Sequence, residues 1–82
     1  MSYYVKYPSL IRMTIDEYRL DKNWSYTELA RQTGAAHATV ARRWCLKFDH
    51  VDRLIPSQAF MDRIILLTSG EVLPNDFYIR RQ

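Results

Sequence analysis

Residues 27–44 read TELARQTGAAHATVARRW, from Thr27 to Trp44, and their reading decides the fold. One glycine, Gly34, stands between two runs of helix-forming residues. Arg31, His37, Arg42 and Arg43 are basic and Glu28 alone is acidic. Two short helices joined by a glycine-containing turn of about three to four residues make a helix-turn-helix. Gly34 permits the sharp reversal because it has no Cβ to resist a positive φ. The first helix of the pair is read from Ser25 or Tyr26 to Gly34, with Leu29, Ala30 and Thr33 turned inward. Ala30 is small, which lets the two helices approach closely.

The second helix of the pair is read from about Ala36 to Leu46. At 100° per residue, Val40 and Trp44 fall together and are the expected anchors. Ala38, Ala41, Arg42 and Cys45 then fall on the opposite side, with His37 on the flank near the helix start. Small residues with a few polar reachers suit a helix that enters the DNA major groove. On this reading Arg42 can donate twice to guanine, His37 can donate to a base acceptor or a phosphate, and the methyls of Ala38 and Ala41 can meet a thymine methyl.

The charge pattern agrees. The 82-residue chain carries a formal net charge of +3. Residues 1–30 and 54–82 are each neutral, so the whole excess lies in residues 31–53, on Arg31, Arg42, Arg43, Lys47 and Arg53 against Asp49 and Asp52. A localised positive field is the usual footprint of a polyanion partner. Arg31, Arg43, Lys47 and Arg53 are phosphate candidates by charge. Backbone N–H groups at the start of the first helix of the pair also favour a phosphate, where Ser25 and Thr27 can assist.

WSYTELARQTGAAHATVARRW resembles the helix-turn-helix of the Cro/CI-type phage repressor family, through Ser25-Tyr26, Glu28-Leu29-Ala30, Gly34, Thr39-Val40 and Arg42 to Trp44. The later stretch IPSQAFMDRIILLTSGEVLPNDFY resembles the helix and tail that come after the motif in small Cro-like and YdaS-like proteins, so the likeness spans roughly residues 14–78. It implies a lambda-repressor-like fold and base contacts at His37, Ala38, Ala41 and Arg42. It also implies backbone contacts at Thr39 and Tyr26, double-stranded DNA as partner, and a homodimer in a prokaryotic or phage cytoplasm. Three departures stand out: Ala36 and Thr33 replace a common polar cap and a common apolar residue, and CLKFDHVDRLI replaces a short glycine turn.

Around this motif the chain reads as all-α, a compact four- or five-helix bundle forming one domain. An N-terminal extension covers about residues 1–9 and a tail covers about 71–82. Tyr3-Tyr4-Val5-Lys6-Tyr7 favours β structure until Pro8 breaks it. A first helix runs to about Asn23, beginning after Ser9 or after Thr14, where Thr14-Ile-Asp-Glu17 forms a capping box. Pro56-Ser57 opens a further helix with Phe60, Ile64 and Leu67 buried. Gly34 and Gly70 each end a helical pattern, and the tail after Gly70 is expected to be extended. The cluster of Val72, Leu73, Phe77, Tyr78 and Ile79 either folds back or meets a second subunit, with the dimer role favoured. The tyrosines at 3, 4 and 7 offer another dimer surface.

Apolar residues make up 48% of the chain, enough for one modest core. No apolar run approaches the roughly 18–20 residues of a membrane span. Cys45 is the only cysteine, so neither an internal disulfide nor a cysteine zinc site is expected. The residues supply no nucleophile–base pair, phosphate loop or metal ligand set, so no cofactor and no enzymatic role are expected. The competing reading is a helical interaction module of antitoxin or adaptor type whose helix-turn-helix does not read DNA.

Overall fold

The computed structural model describes residues 13–78. Among them the chain is all-helical: α1 is Ile15–Asp21, α2 Tyr26–Thr33, α3 Ala38–Trp44 and α4 Gln58–Leu67, followed by a short 3₁₀ turn, η1, at Pro74–Phe77. The expectations placed on Ser9, on the β-favouring segment 3–7, and on Ile79 lie outside the described residues.

Local sequence sets most boundaries. Thr14 caps α1 through the full capping box: its hydroxyl accepts from Glu17 N–H at 3.1 Å, and the Glu17 carboxylate accepts from Thr14 N–H at 2.8 Å. Ser25 caps α2 by accepting from Glu28 N–H at 3.1 Å. Gly34, at φ 83°, ends α2 in the left-handed region, and a Cβ there would sit 2.7 Å from Arg63 Nη1. Ser57 caps α4.

The core joins Ile15 and Tyr18 of α1, Leu29 and Ala30 of α2, Ala41 and Trp44 of α3, and Met61 and Ile64 of α4. Trp44 tilts against Phe60 with ring centroids 5.3 Å apart, and Tyr18 meets the edge of Trp24 at 5.8 Å. Thr33, buried where an apolar residue is common, satisfies its hydroxyl by donating to the Leu29 carbonyl at 2.9 Å.

The tail departs from expectation. It is not extended: Val72 and Phe77 are fully buried in the same core and η1 turns the chain between them. The Asp76 carboxylate accepts from Leu73 N–H at 2.8 Å and Thr68 Oγ1 accepts from Val72 N–H at 3.2 Å, which fixes the fold-back. A small core gains more from covering itself with these side chains than from leaving them for a partner. Leu73 is half-buried and Tyr78 exposed.

Candidate nucleic-acid interface

Helices α2 and α3 are joined by a four-residue turn, and α3 starts later than the sequence pattern suggests. Helix α3 begins at Ala38, not Ala36, and His37 takes the N-cap position without a side-chain cap bond. It ends at Trp44, with Cys45 as C-cap, rather than running to Leu46. Gly34 to His37 therefore span the reversal.

This changes which face is buried. Ala41 is 0% exposed and Trp44 2%, while Val40 is only half-buried. The anchors are Ala41 and Trp44, and the helix is turned about 50° from the Val40–Trp44 reading. The physical reason is volume. Ala41 is fully enclosed in the core while α3 packs on α2, and at such a position a methyl fits where a larger side chain has to displace its neighbours.

Ala41 is thereby corrected from a base reader to a core residue. Ala38, 60° from it on the helix, is half-buried and largely withdrawn from the outer surface. The outward ridge is centred on Thr39, which is exposed, with exposed Arg42 on one flank and half-buried Arg43 on the other. His37 is exposed at the helix start.

The remaining phosphate candidates divide by their engagements. Lys47 is exposed beyond the end of α3. Arg31 is exposed and pairs with Glu28 along the surface of α2, with Nε donating to Oε1 at 3.0 Å. That bond raises the arginine pKa and, with Gln32, lowers that of the glutamate. Arg43 Nε donates to the Asp52 carbonyl at 2.7 Å, and Arg53 Nε to the Leu46 carbonyl at 3.2 Å. With Leu54 N–H donating to the Arg43 carbonyl at 3.1 Å, these bonds strap segment 46–54 to the end of α3. Arg53 is half-buried, and burial draws its pKa down. The segment is non-helical turn, with Val51 90% exposed at its tip.

At the other side of the unit, Ser25 and Thr27 are exposed and Tyr26 is half-buried at the first turn of α2. Ser25 Oγ is occupied by the Glu28 N–H, so the cap offers its surroundings the helix start rather than a free hydroxyl. Sequence reasoning missed the residue behind Tyr26: the Arg19 guanidinium carbon lies 4.2 Å from the tyrosine ring centroid. Asp16, Trp24 and Tyr26 all lie within seven residues of Arg19, but the contact with Tyr26 depends on how the chain turns between α1 and α2, which no residue pattern marks.

Cys45 is half-buried, and burial, reinforced by the nearby Asp16 charge, pushes its thiol pKa up to about 12. Its surroundings suit a protonated packing group. His50 accepts the Asp52 N–H on Nδ1 at 3.0 Å, a turn-forming bond. Among the described residues no cluster of three or more His, Cys, Asp or Glu side chains is arranged to hold a metal ion, and no helix is long and apolar enough to cross a membrane.

Comparison with protein-family models, with curated proteins and with solved structures found no match to this chain.

Proposed function

We propose that the chain is a sequence-specific double-stranded DNA-binding regulator of Cro-like type, acting as a homodimer on a pseudo-palindromic site. The observation that carries this reading is the division of α3. Ala41 and Trp44 hold it from behind, while Thr39 and Arg42 stand outward on the opposite side with His37 at its start. A short helix held this way can enter a major groove, with Arg42 bidentate to a guanine and Thr39 against a base methyl or the neighbouring backbone. Lys47 and the start of α2 then lie on the flanks as phosphate contacts. One helix this short reads only a few base pairs, and a second copy related by two-fold symmetry doubles the site.

The test is selection of duplexes from a random-sequence library, followed by anisotropy titrations on the recovered site and on a scrambled one. Recovery of two half-sites about one helical turn apart supports the reading. Arg42→Ala is expected to cost about 1–3 kcal/mol on the recovered site and to relax preference at one base position. Equal loss on both duplexes removes Arg42 from the readers.

The second reading, a helical interaction module that does not read DNA, draws on specific observations. Ala41 is withdrawn into the core, and Arg31, Arg43 and Arg53 are bonded within the protein. Apolar Val51 and Leu66 are meanwhile 90% and 80% exposed. Failure to recover any enriched duplex favours this alternative.

A further inference from the structure

Arg19 sits on α1, outside the α2–α3 unit, yet it touches the residue that opens α2. Its side chain is 12% exposed. All three guanidinium nitrogens are used inside the protein. Nε donates to Asp16 Oδ1 at 3.0 Å, Nη2 reaches the same oxygen at 2.9 Å, and Nη1 donates to the Trp24 carbonyl at 2.9 Å. Burial opposes the charge, but the Asp16 hydrogen bond and its charge hold the Arg19 pKa above the usual arginine value. With each of its three nitrogens engaged within the protein, the guanidinium also lies over the Tyr26 ring, its carbon 4.2 Å from the ring centroid.

We infer that Arg19 is a positioning residue for a DNA-backbone contact: it fixes the Tyr26 ring so that its hydroxyl is held ready to donate to a phosphate at the start of α2. This rests on the DNA-binding reading above. Arg19 is not placed to make that contact itself: its side chain is 12% exposed and each of its nitrogens is already engaged with Asp16 or Trp24. Tyr26 has two side-chain torsions to fix, and an arginine stacked on its ring fixes them before DNA arrives. The ordering cost of binding falls accordingly. Lysine cannot replace it, since an ammonium has neither a planar face nor the fork that grips Asp16 and the Trp24 carbonyl together.

The experiment titrates the full chain and the variants Tyr26→Phe, Arg19→Lys, Arg19→Met and Tyr26→Phe/Arg19→Lys against the library-selected duplex, at several salt concentrations. Tyr26→Phe keeps the ring and the stack but loses the donor, and is expected to weaken binding on the order of tenfold. Arg19→Lys is expected to weaken it by roughly two- to tenfold. The double variant is expected to bind as Tyr26→Phe does, because nothing remains to be positioned. The salt slope is expected to stay unchanged in every variant, Arg19→Met included. Additive losses in the double variant overturn the inference. So does a slope flattened by about one unit in Arg19→Met, which would make Arg19 itself a phosphate contact.

Should the Arg19 variants unfold, NMR on the wild-type protein decides. Contacts between the Arg19 side chain and the Tyr26 ring are expected in both free and DNA-bound protein, and their loss on adding the duplex overturns the proposal. If the wild type selects no duplex at all, the DNA-binding reading falls and this inference with it. If it does, additivity removes the inference alone.

Discussion

Helices α2 and α3 are of nearly equal length and pack against each other, yet they are held in place by different means. Helix α2 is specified almost entirely by its own residues. Ser25 caps its start, Gly34 ends it in the left-handed region, and Glu28 binds Arg31 and Gln32 along its exposed side. Its inward stripe of Leu29, Ala30 and Thr33 falls where the sequence pattern puts it. Helix α3 has no side-chain cap and no acidic residue in its first turn, and both cations in its last turn come from adjacent positions. Its position comes from what it is pressed against. The lesson is that a helix with strong local signals keeps the rotation its sequence announces. One without them takes the rotation its neighbours allow.

The sharpest way to break that contrast is at the α3 anchors. Trp44→Ala is expected to cost about 3–5 kcal/mol by removing a fully buried ring. Val40→Ala, at a half-buried position, is expected to cost about 1 kcal/mol or less. Urea denaturation of both variants measures the difference. Equal losses would return α3 to the Val40–Trp44 orientation and restore Ala41 to the outer face.

Next come the caps, where the two helices should respond in opposite directions. Ser25→Ala is expected to destabilise by about 1 kcal/mol, since it removes the acceptor for Glu28 N–H. His37→Ser is expected to stabilise by about 0.5–1 kcal/mol, because it supplies α3 with the acceptor it lacks. The same change should weaken DNA binding if His37 contacts the duplex. No gain in the urea midpoint from His37→Ser would mean that the α3 start is satisfied in some other way.

The smallest effect is a pH slope at Cys45, where α3 ends. Burial raises the thiol to about 12 in the folded protein, against about 8.5 in an unfolded chain. Between those values the folded state keeps a proton the unfolded state has lost. The contribution is therefore fully present below pH ~8.5 and is lost as pH rises toward the folded value. Wild type is expected to lose stability faster than Cys45→Ala between pH 8 and pH 10, by at most one proton's worth of slope. Parallel curves would show the thiol to be open to solvent. The native thiol is likewise expected to react slowly with a disulfide reagent until urea exposes it.

These contrasts explain what could be read in advance. The capping box at Thr14, the start of α2 at Ser25 or Tyr26, the Ser57 cap and the Gly34 stop are short-range events, so a few residues in a row announce them. Trp44 was legible as core from its size. The exposure of Arg42 was legible because it is outward in either rotation of α3. The burial of Ala41 was not, since alanine fits a packed face as readily as a groove-facing one and carries no signal of its own. The fold-back of Val72 and Phe77 was hidden for a related reason: a terminal apolar cluster looks the same whether it covers its own core or another chain's. Arg19 behind Tyr26 was invisible, although its partners lie within seven residues, because their meeting depends on the path of the turn between α1 and α2.

By itself, the sequence determined that this chain is helical, where most of its helices start and stop, and that its positive charge gathers around the α2–α3 unit. Capping, glycine conformation and net charge act over a few residues or add without regard to geometry. The tertiary structure alone decided the rotation of α3, the ridge of Thr39 and Arg42 that this rotation presents, and the enclosure of the tail. Those depend on volumes meeting across elements distant in sequence, and close packing admits only one arrangement of them.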